Sequence, residues 1–267
     1  MSSRDDEAFT TKEGTREHYE DAALYDHEYR RRRVDVNFYR ALASEIGGEP
    51  MLELGCGTGR LLVPLVRDGR RVVGVDRSPT MLAAAAARLA RVGRRAQHAQ
   101  LLRADFRDLP MCTPRFALVL CPFNTLQHLY TREDFERFLA SVRPLLAPGG
   151  RLAFDVMNPD LEWLSRSAHK RWARTRFKHP TTGEVVHYST NHVYDAPTQI
   201  NYIRIYYEPE GGGPERVVRL THRMFFPNEI EALLHYNGWR LLARYGDFGW
   251  GPLEPSSEEQ VCIAEPI

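Results

Sequence analysis

Cysteine is scarce in this chain, with four in 267 residues at Cys56, Cys112, Cys121 and Cys262. No two form a Cys-x-x-Cys pair, which excludes a zinc knuckle or a disulfide framework as the organising device. No apolar run approaches the ~20 residues that cross a bilayer. The opening MSSRDDEAFTTKEGTREHYE has no apolar core, so it does not read as a secretory leader. The expectation is a soluble, cytoplasmic protein without a membrane partner. An excess of one charge is also missing: 36 basic residues face 35 acidic ones, a formal net charge of +1. That balance argues against a nucleic acid partner held by phosphate neutralisation. Lysine occurs only at Lys12, Lys170 and Lys178, and the preponderance of arginine reads first as codon bias and second as anion recognition. His187 and His192 have no carboxylate at ligand spacing, so no metal is assigned.

What remains is ordinary globular composition, 43% hydrophobic and 27% charged, in a length that suits one domain with an elaboration. The first fifteen residues read as polar and mobile. From Arg16 to Ile46, Tyr25, Tyr29, Phe38 and Leu42 fall at the spacing of one or two amphipathic helices. Short apolar strands then alternate with helices: MLELG (51–55), RRVVGVD (70–76), LLRADF (101–106), FALVLC (116–121) and RLAFDVM (151–157). Helices are expected from Arg60 to Asp68, from the Ser78-Pro79 cap to about Arg91, and from Arg132 to Leu146. This is the signature of an α/β, Rossmann-like, doubly wound and mostly parallel sheet of seven strands. After Pro159 the period changes to two in 185–195, 199–210 and 215–226, which predicts antiparallel strands. A helix from Pro227 and the strands 239–245 and 260–265 complete the sheet. The expected organisation is an N-terminal helical lid (1–46), a core (47–159), an antiparallel β insert (160–222) and completion of the core (223–267).

The residues richest in chemical meaning are Leu52-Glu53-Leu54-Gly55-Cys56-Gly57-Thr58-Gly59. Glycines where a strand turns into a helix let backbone N–H groups approach a ligand, and the helix dipole favours negative charge there. The spacing is Gly-x-Gly-x-Gly, with Arg60 where a dinucleotide fingerprint would place its third glycine. Asp76 ends the second strand where an acidic side chain meets a ribose hydroxyl pair. Together they indicate an adenosine-bearing ligand at the carboxyl ends of the first two strands.

ELGCGTG, VVGVD, ADF and LCPFN, each at a strand end, resemble the class I S-adenosylmethionine-dependent methyltransferases over about residues 48–160. The resemblance implies that the cofactor is S-adenosylmethionine and that the product is S-adenosylhomocysteine. It implies that Glu53, Gly55, Cys56, Gly57, Thr58 and Gly59 line the methionine end of the cofactor. By the same resemblance Asp76 holds the ribose, and Arg77 and Met81 lie against the adenine. Asp105 and Phe106 meet the adenine amino group and ring, and Cys121 and Pro122 pass the methionine moiety.

Methyltransferases that act on exocyclic amines of bases carry a doubled proline after the fourth strand, and Cys121-Pro122-Phe123-Asn124-Thr125-Leu126-Gln127-His128-Leu129 lacks it. The stretch is more similar to the small-molecule group, which implies a small-molecule amine, or a hydroxyl, as acceptor. His128 then faces the acceptor, or it is a satisfied histidine at a helix start; Asn124 contacts the acceptor or caps the turn. The same resemblance implies that the amino-terminal segment closes over the cofactor, with a tyrosine or arginine reaching the cofactor or the acceptor; Tyr25 and Arg33 lie eight residues apart, two helical turns, so both can face one site, and Tyr29 joins them. The alternative for this segment is a solvated basic face with tyrosines packed on the core. In the insert, Tyr202, Arg204 and Tyr206 share one strand face, suited to a ring or carboxylate, while Ile203 and Ile205 share an apolar face that packs on the main domain or on a second copy in a homodimer. Arg223 lies where the chain returns to the main sheet. Two other functions fit the same residues: a methyltransferase acting on a peptide or RNA, and a non-catalytic cofactor-binding scaffold.

Overall fold

A computed structural model of the chain describes residues 9–110 and 115–267. Cys112 and residues 1–8 of the polar amino-terminal stretch lie outside the described residues. The chain opens with α1 (Thr11–Gly14), a 3-10 turn (Glu17–Tyr19), α2 (Ala22–Tyr29) and α3 (Val34–Ile46). The alternating part follows as β1 (Met51–Leu54), α4 (Leu62–Arg67), β2 (Val72–Asp76), α5 (Pro79–Leu89), β3 (Ala99–Arg103) and β4 (Phe116–Cys121). A 3-10 turn (Thr125–His128), α6 (Arg132–Val142), β5 (Leu146–Met157) and α7 (Leu161–Leu164) lead to β6 (Trp172–Lys178), β7 (Val185–Asp195), β8 (Ile200–Pro209) and β9 (Arg216–Arg223). The chain closes with α8 (Pro227–Tyr236), β10 (Trp239–Tyr245) and β11 (Glu259–Pro266).

Two compact units result, Tyr29–Pro159 with Met224–Ile267, and Met1–Glu28 with Asp160–Arg223. The larger holds a seven-stranded sheet in the order β10-β11-β5-β4-β1-β2-β3. Its described strand pairs are parallel except those of β11, which runs antiparallel to β5 and β10. Successive residues of a strand face opposite sides of the sheet, as period-2 geometry requires. Leu118 and Leu120 join α3 and α4 residues such as Phe38, Leu42 and Leu65 in one core layer. Val119 and Cys121 join Phe135, Phe138 and Leu234, from α6 and α8, in the other. The Rossmann-like reading of the core therefore matches the sheet. The strand order leaves β1 by way of β2 and then returns to place β4 on the other side of β1. In open α/β sheets a ligand crevice lies at such a reversal, beyond the carboxyl ends of the strands.

The smaller unit holds an antiparallel sheet in the order β6-β7-β8-β9. Three of its strands were expected from the sequence. The fourth, β6, reads WARTRFK, whose arginines hide any apolar alternation. The described part of the amino-terminal stretch belongs to this sheet. Phe9 is buried, Thr10 and Glu13 form a capping box on α1, and buried Gly14 lies so close to Thr221 that a Cβ would stand 2.5 Å from its Oγ1. The expectation of a mobile start therefore fails over 9–15. Glu17 accepts from the Arg219 backbone N–H at 3.0 Å, so this arm covers the exposed rung of edge strand β9.

A single helical lid over 1–46 is likewise not what forms. Leu24 packs with Ile205, Tyr207, Val218 and Leu220 of the small sheet, whereas Val36, Phe38, Tyr39 and Leu42 enter the core of the large one. The apolar face carrying Ile203 and Ile205 is thus covered by residues 19–28 of the same chain, and the ground on which that face suggested a homodimer is removed. No described helix is long and apolar enough to cross a membrane.

Candidate active site at the ends of β1, β2 and β4

The glycine loop follows β1. Gly55, Gly57 and Gly59 have φ of 66°, 53° and 79°, the left-handed region that glycine enters without a Cβ penalty. The three do different work. A Cβ on Gly55 would stand 2.5 Å from Thr125 Cγ2, and one on Gly59 would press on Val63 and Ala85. A Cβ on Gly57 would meet nothing nearer than 4.0 Å, so the loop is open there. Cys56 and Thr58 are buried, which assigns their side chains to packing and leaves their backbone to the loop.

Two carboxylates frame the loop. Glu53, in β1, is 2% exposed, and its Oε2 has no hydrogen-bond partner among the described residues. Burial pushes its carboxyl up to about 8, against the pull of Arg60, so near neutrality the group is largely a neutral acid able to donate. Asp76 ends β2. Its Oδ2 accepts from Gly57 N at 2.9 Å and its Oδ1 from Ser78 N at 2.8 Å. Burial raises its pKa against those two donors. The carboxylate has about four lone-pair sites, more than its backbone donors use. Ser78 also caps α5, accepting from Met81 N at 3.3 Å, while the Met81 side chain is buried and Arg77 is exposed.

Beyond β3, Asp105 is held by Arg107. Its Oδ1 accepts from the Arg107 N and Nε at 3.0 Å, and its Oδ2 from Nη2 at 2.7 Å. Burial would raise the Asp105 carboxyl, but these bonds and the guanidinium charge win and lower it. Arg107 also donates to Asp134 at 2.7 Å. Phe106 packs edge-to-face on Phe138, the ring centres 5.8 Å apart.

The turn after β4 is the least ordinary backbone of the site. Cys121 and Pro122 are buried, and Phe123 and Asn124 both take positive φ, 60° and 61°. Non-glycine residues rarely do so, and two in succession mark a constrained turn. The Phe123 N–H donates to Asp155 Oδ1 at 2.8 Å and the Asn124 N–H to Oδ2 at 3.0 Å. Tyr39 Oη adds a third donor to Oδ1 at 2.6 Å. Burial raises the pKa of the Asp155 carboxyl and these three donors oppose it. Asn124 Oδ1 is buried without a partner among the described residues. His128 Nδ1 lies 3.1 Å from the Tyr130 hydroxyl.

Arg60 occupies the place of the missing glycine. It forms a two-pronged ion pair with buried Asp35, one arm at 3.0 Å, and its guanidinium lies 4.1 Å from the centre of the Phe123 ring. Tyr29 meets the same ring edge-on at 4.8 Å, and Arg32 lies 5.3 Å from it while pairing with Glu259. Burial lifts the Glu259 carboxyl to about 7 even with Arg32 beside it.

The structure corrects the reading of Tyr25 and Arg33 as two turns apart on one helix. The helix stops at Tyr29 and another starts at Val34, with Arg33 as its exposed N-cap residue at φ −125°. Arg32 is the arginine of that run that faces inward. Tyr25 sits in the smaller unit against His18 and Tyr19. In the same unit Tyr206 is fully buried, donates to Asn191 Oδ1 at 3.2 Å and lies under Arg171, 3.6 Å from its ring centre. Phe9 stands against both Tyr202 and Arg204. The strand face read as a substrate surface is therefore occupied by the chain's own Phe9 and Arg171. Buried Arg223 donates to Gln199 Oε1 at 3.4 Å.

Sequence reasoning missed Asp155, Tyr39, Asp35, Arg60 as an anchor, and Glu259. The signal for Asp155 was a carboxylate inside the apolar strand LAFDVM, which must be paired if buried. Among the described residues no group of three or more His, Cys, Asp or Glu side chains could hold a metal.

A glycine loop, a paired acid on β2 and a turn after β4, gathered where the strand order reverses, define a nucleoside-binding Rossmann-like site. Residues 51–150 match the family model described as Methyltransferase domain. The glycine/sarcosine N-methyltransferase of Aphanothece halophytica is 26% identical over 215 residues, 79% of this chain and 74% of that one. The Bacillus subtilis protein YqeM is 32% identical over 106 residues, 40% of this chain and 41% of its own, so the chain spans less than half of that relative. The structure of the CcbJ methyltransferase from Streptomyces caelestis superposes with a TM-score of 0.74 at 24% identity, covering 88% of this chain and 96% of that one, and shows the same fold. The residues fit S-adenosylmethionine as a cofactor. Glu53 Oε2, which has no partner among the described residues, the remaining accepting capacity of Asp76 and the open face of Gly57 offer polar contacts and backbone approach to a nucleoside with an amino acid tail.

Proposed function

We propose that this chain methylates an amine of a small molecule by direct displacement, and that it works in the cytoplasm. S-adenosylmethionine supplies the electrophilic methyl when bound. Glu53, the glycine loop and Cys121-Pro122 hold its methionine end, and Asp76 holds the ribose. Asp105, Phe106, Arg77 and Met81 border the adenine. The protein's own contribution is orientation and exclusion of water.

The observation that carries the amine reading is Asn124 Oδ1, a buried acceptor without a partner among the described residues, on a turn whose next residue, Thr125, packs against Gly55 of the glycine loop. A buried carbonyl oxygen calls for a donor. A neutral amine brings one N–H to it and keeps its lone pair for attack. The reading is supported by the likeness to a glycine/sarcosine N-methyltransferase. The three described cysteines are all buried and unpaired, in keeping with a reducing compartment. A hydroxyl acceptor would need its proton removed, and His128 beside Tyr130 is the base for that chemistry.

Calorimetric titration of S-adenosylmethionine tests the cofactor half. Gly57→Asn is the informative control, because Asn tolerates the left-handed region while its side chain fills the open face; affinity falls by about 100-fold with the fold retained. Screening small amines and small alcohols for S-adenosylhomocysteine release tests the acceptor half, with Asn124→Ala expected to lose activity toward the amines. Turnover of alcohols only would replace the amine reading. Binding without any turnover would move it to a scaffold, and turnover of peptide or RNA alone to a macromolecular acceptor.

A further inference from the structure

Behind the turn after β4 lies a carboxylate that the displacement itself does not use. Phe123 and Asn124 adopt a backbone that L side chains avoid, and their two successive N–H groups converge on the two oxygens of Asp155, at 2.8 and 3.0 Å. Consecutive N–H groups aimed at one point make an anion site. Here the anion is a side chain of β5, whose neighbour Phe154 pairs with Cys121 at the end of β4. Tyr39 of α3 fixes the same carboxylate from the other side at 2.6 Å. Asp155 and Tyr39 are both fully buried, so no water competes for these bonds.

We propose that Asp155 is a positioning residue that locks the doubly left-handed turn Phe123–Asn124, and through it sets Asn124 toward the acceptor and seats Thr125 against the glycine loop. The part concerning the acceptor rests on the proposed function; the lock itself rests on geometry alone. Only a carboxylate satisfies the site. An amide has one acceptor oxygen, and its NH₂ would face a backbone N–H, so Asp155→Asn keeps the volume and loses one of the two turn bonds.

The lock separates two variants that a merely structural role would not. Asp155→Asn and Tyr39→Phe each remove one bond to a buried group, but only the first touches the turn. In Asp155→Asn the amide protons of Phe123 and Asn124 should move upfield and exchange roughly tenfold faster in NMR spectra of the full chain, and S-adenosylhomocysteine should bind about tenfold more weakly by calorimetry. Tyr39→Phe should lower the melting temperature comparably, yet keep both amide signals and hold the affinity within about twofold. Asn124→Gly, which removes the need for a lock, should raise the melting temperature more in the Asp155→Asn background than in the wild type, and should restore folding if Asp155→Asn alone does not fold. Unmoved amide signals in Asp155→Asn would overturn the proposal, as would affinities that merely follow melting temperature across the two variants. Failure of the wild type to bind S-adenosylhomocysteine would instead sink the functional reading, and the amide signals would still judge the lock.

Discussion

The turns after β1 and β4 need the same backbone and obtain it by opposite means. After β1, glycines stand at the positive-φ positions 55, 57 and 59; after β4, Phe123 and Asn124 do so. Each turn also has a buried carboxylate in the sheet nearby. Glu53 keeps an oxygen without a partner among the described residues, whereas Asp155 receives three donors. The difference separates two kinds of pocket wall. The first turn is free to take its shape and has bonding capacity left over for a ligand. The second is held in shape by the protein, and its unspent bonding capacity has moved to the tip of Asn124.

Exchanging the chemistry of the two turns breaks the comparison if it is wrong. The largest effect on stability is expected at Gly55. In Gly55→Ala the new Cβ meets Thr125 at 2.5 Å with φ at 66°, which should cost about 3 kcal/mol in denaturant unfolding, partly recovered by Thr125→Ser. Next comes the loose carboxyl. Glu53 holds its proton up to about pH 8 in the folded chain against an ordinary 4.5. Its contribution to stability is therefore full below pH 4.5 and is lost as pH rises through about 8. Glu53→Gln should flatten that fall by up to ~1 kcal/mol per pH unit, read as denaturation midpoints across the window. The smallest effect is the reverse exchange. Asn124→Gly should leave stability within about 1 kcal/mol of the wild type, since relief of the left-handed strain offsets the entropy that glycine adds to the unfolded chain.

The same contrast explains what could be read in advance. The glycine loop and Asp76 were legible because glycine at a strand end has a local meaning, and the parallel core because its strands are short apolar runs between helices. The turn after β4 was legible only as a place. Nothing local in Phe123-Asn124 announces a positive φ, which depends on Asp155, more than thirty residues away in sequence. Arg33 was chosen over Arg32 because the spacing assumed a continuous helix, and no glycine or proline between Arg30 and Arg33 marks the break. The face of Tyr202, Arg204 and Tyr206 was identified correctly as a face, but that Phe9 and Arg171 cover it is a long-range fact.

The arm over β9 also has a consequence for synthesis. Thr11 meets Thr221 across 210 residues, and Leu24 needs Ile205 and Val218 to be buried. During translation residues 9–28 emerge long before the strands they cover, while the whole alternating portion from β1 to β5 is made in between. The smaller unit thus closes only once β9 is made, and its closure joins a segment made early to one made late. A ribosome-bound chain halted before β9 should leave the arm open to protease while the strands through β5 are already made, a difference that limited proteolysis of stalled nascent chains would display.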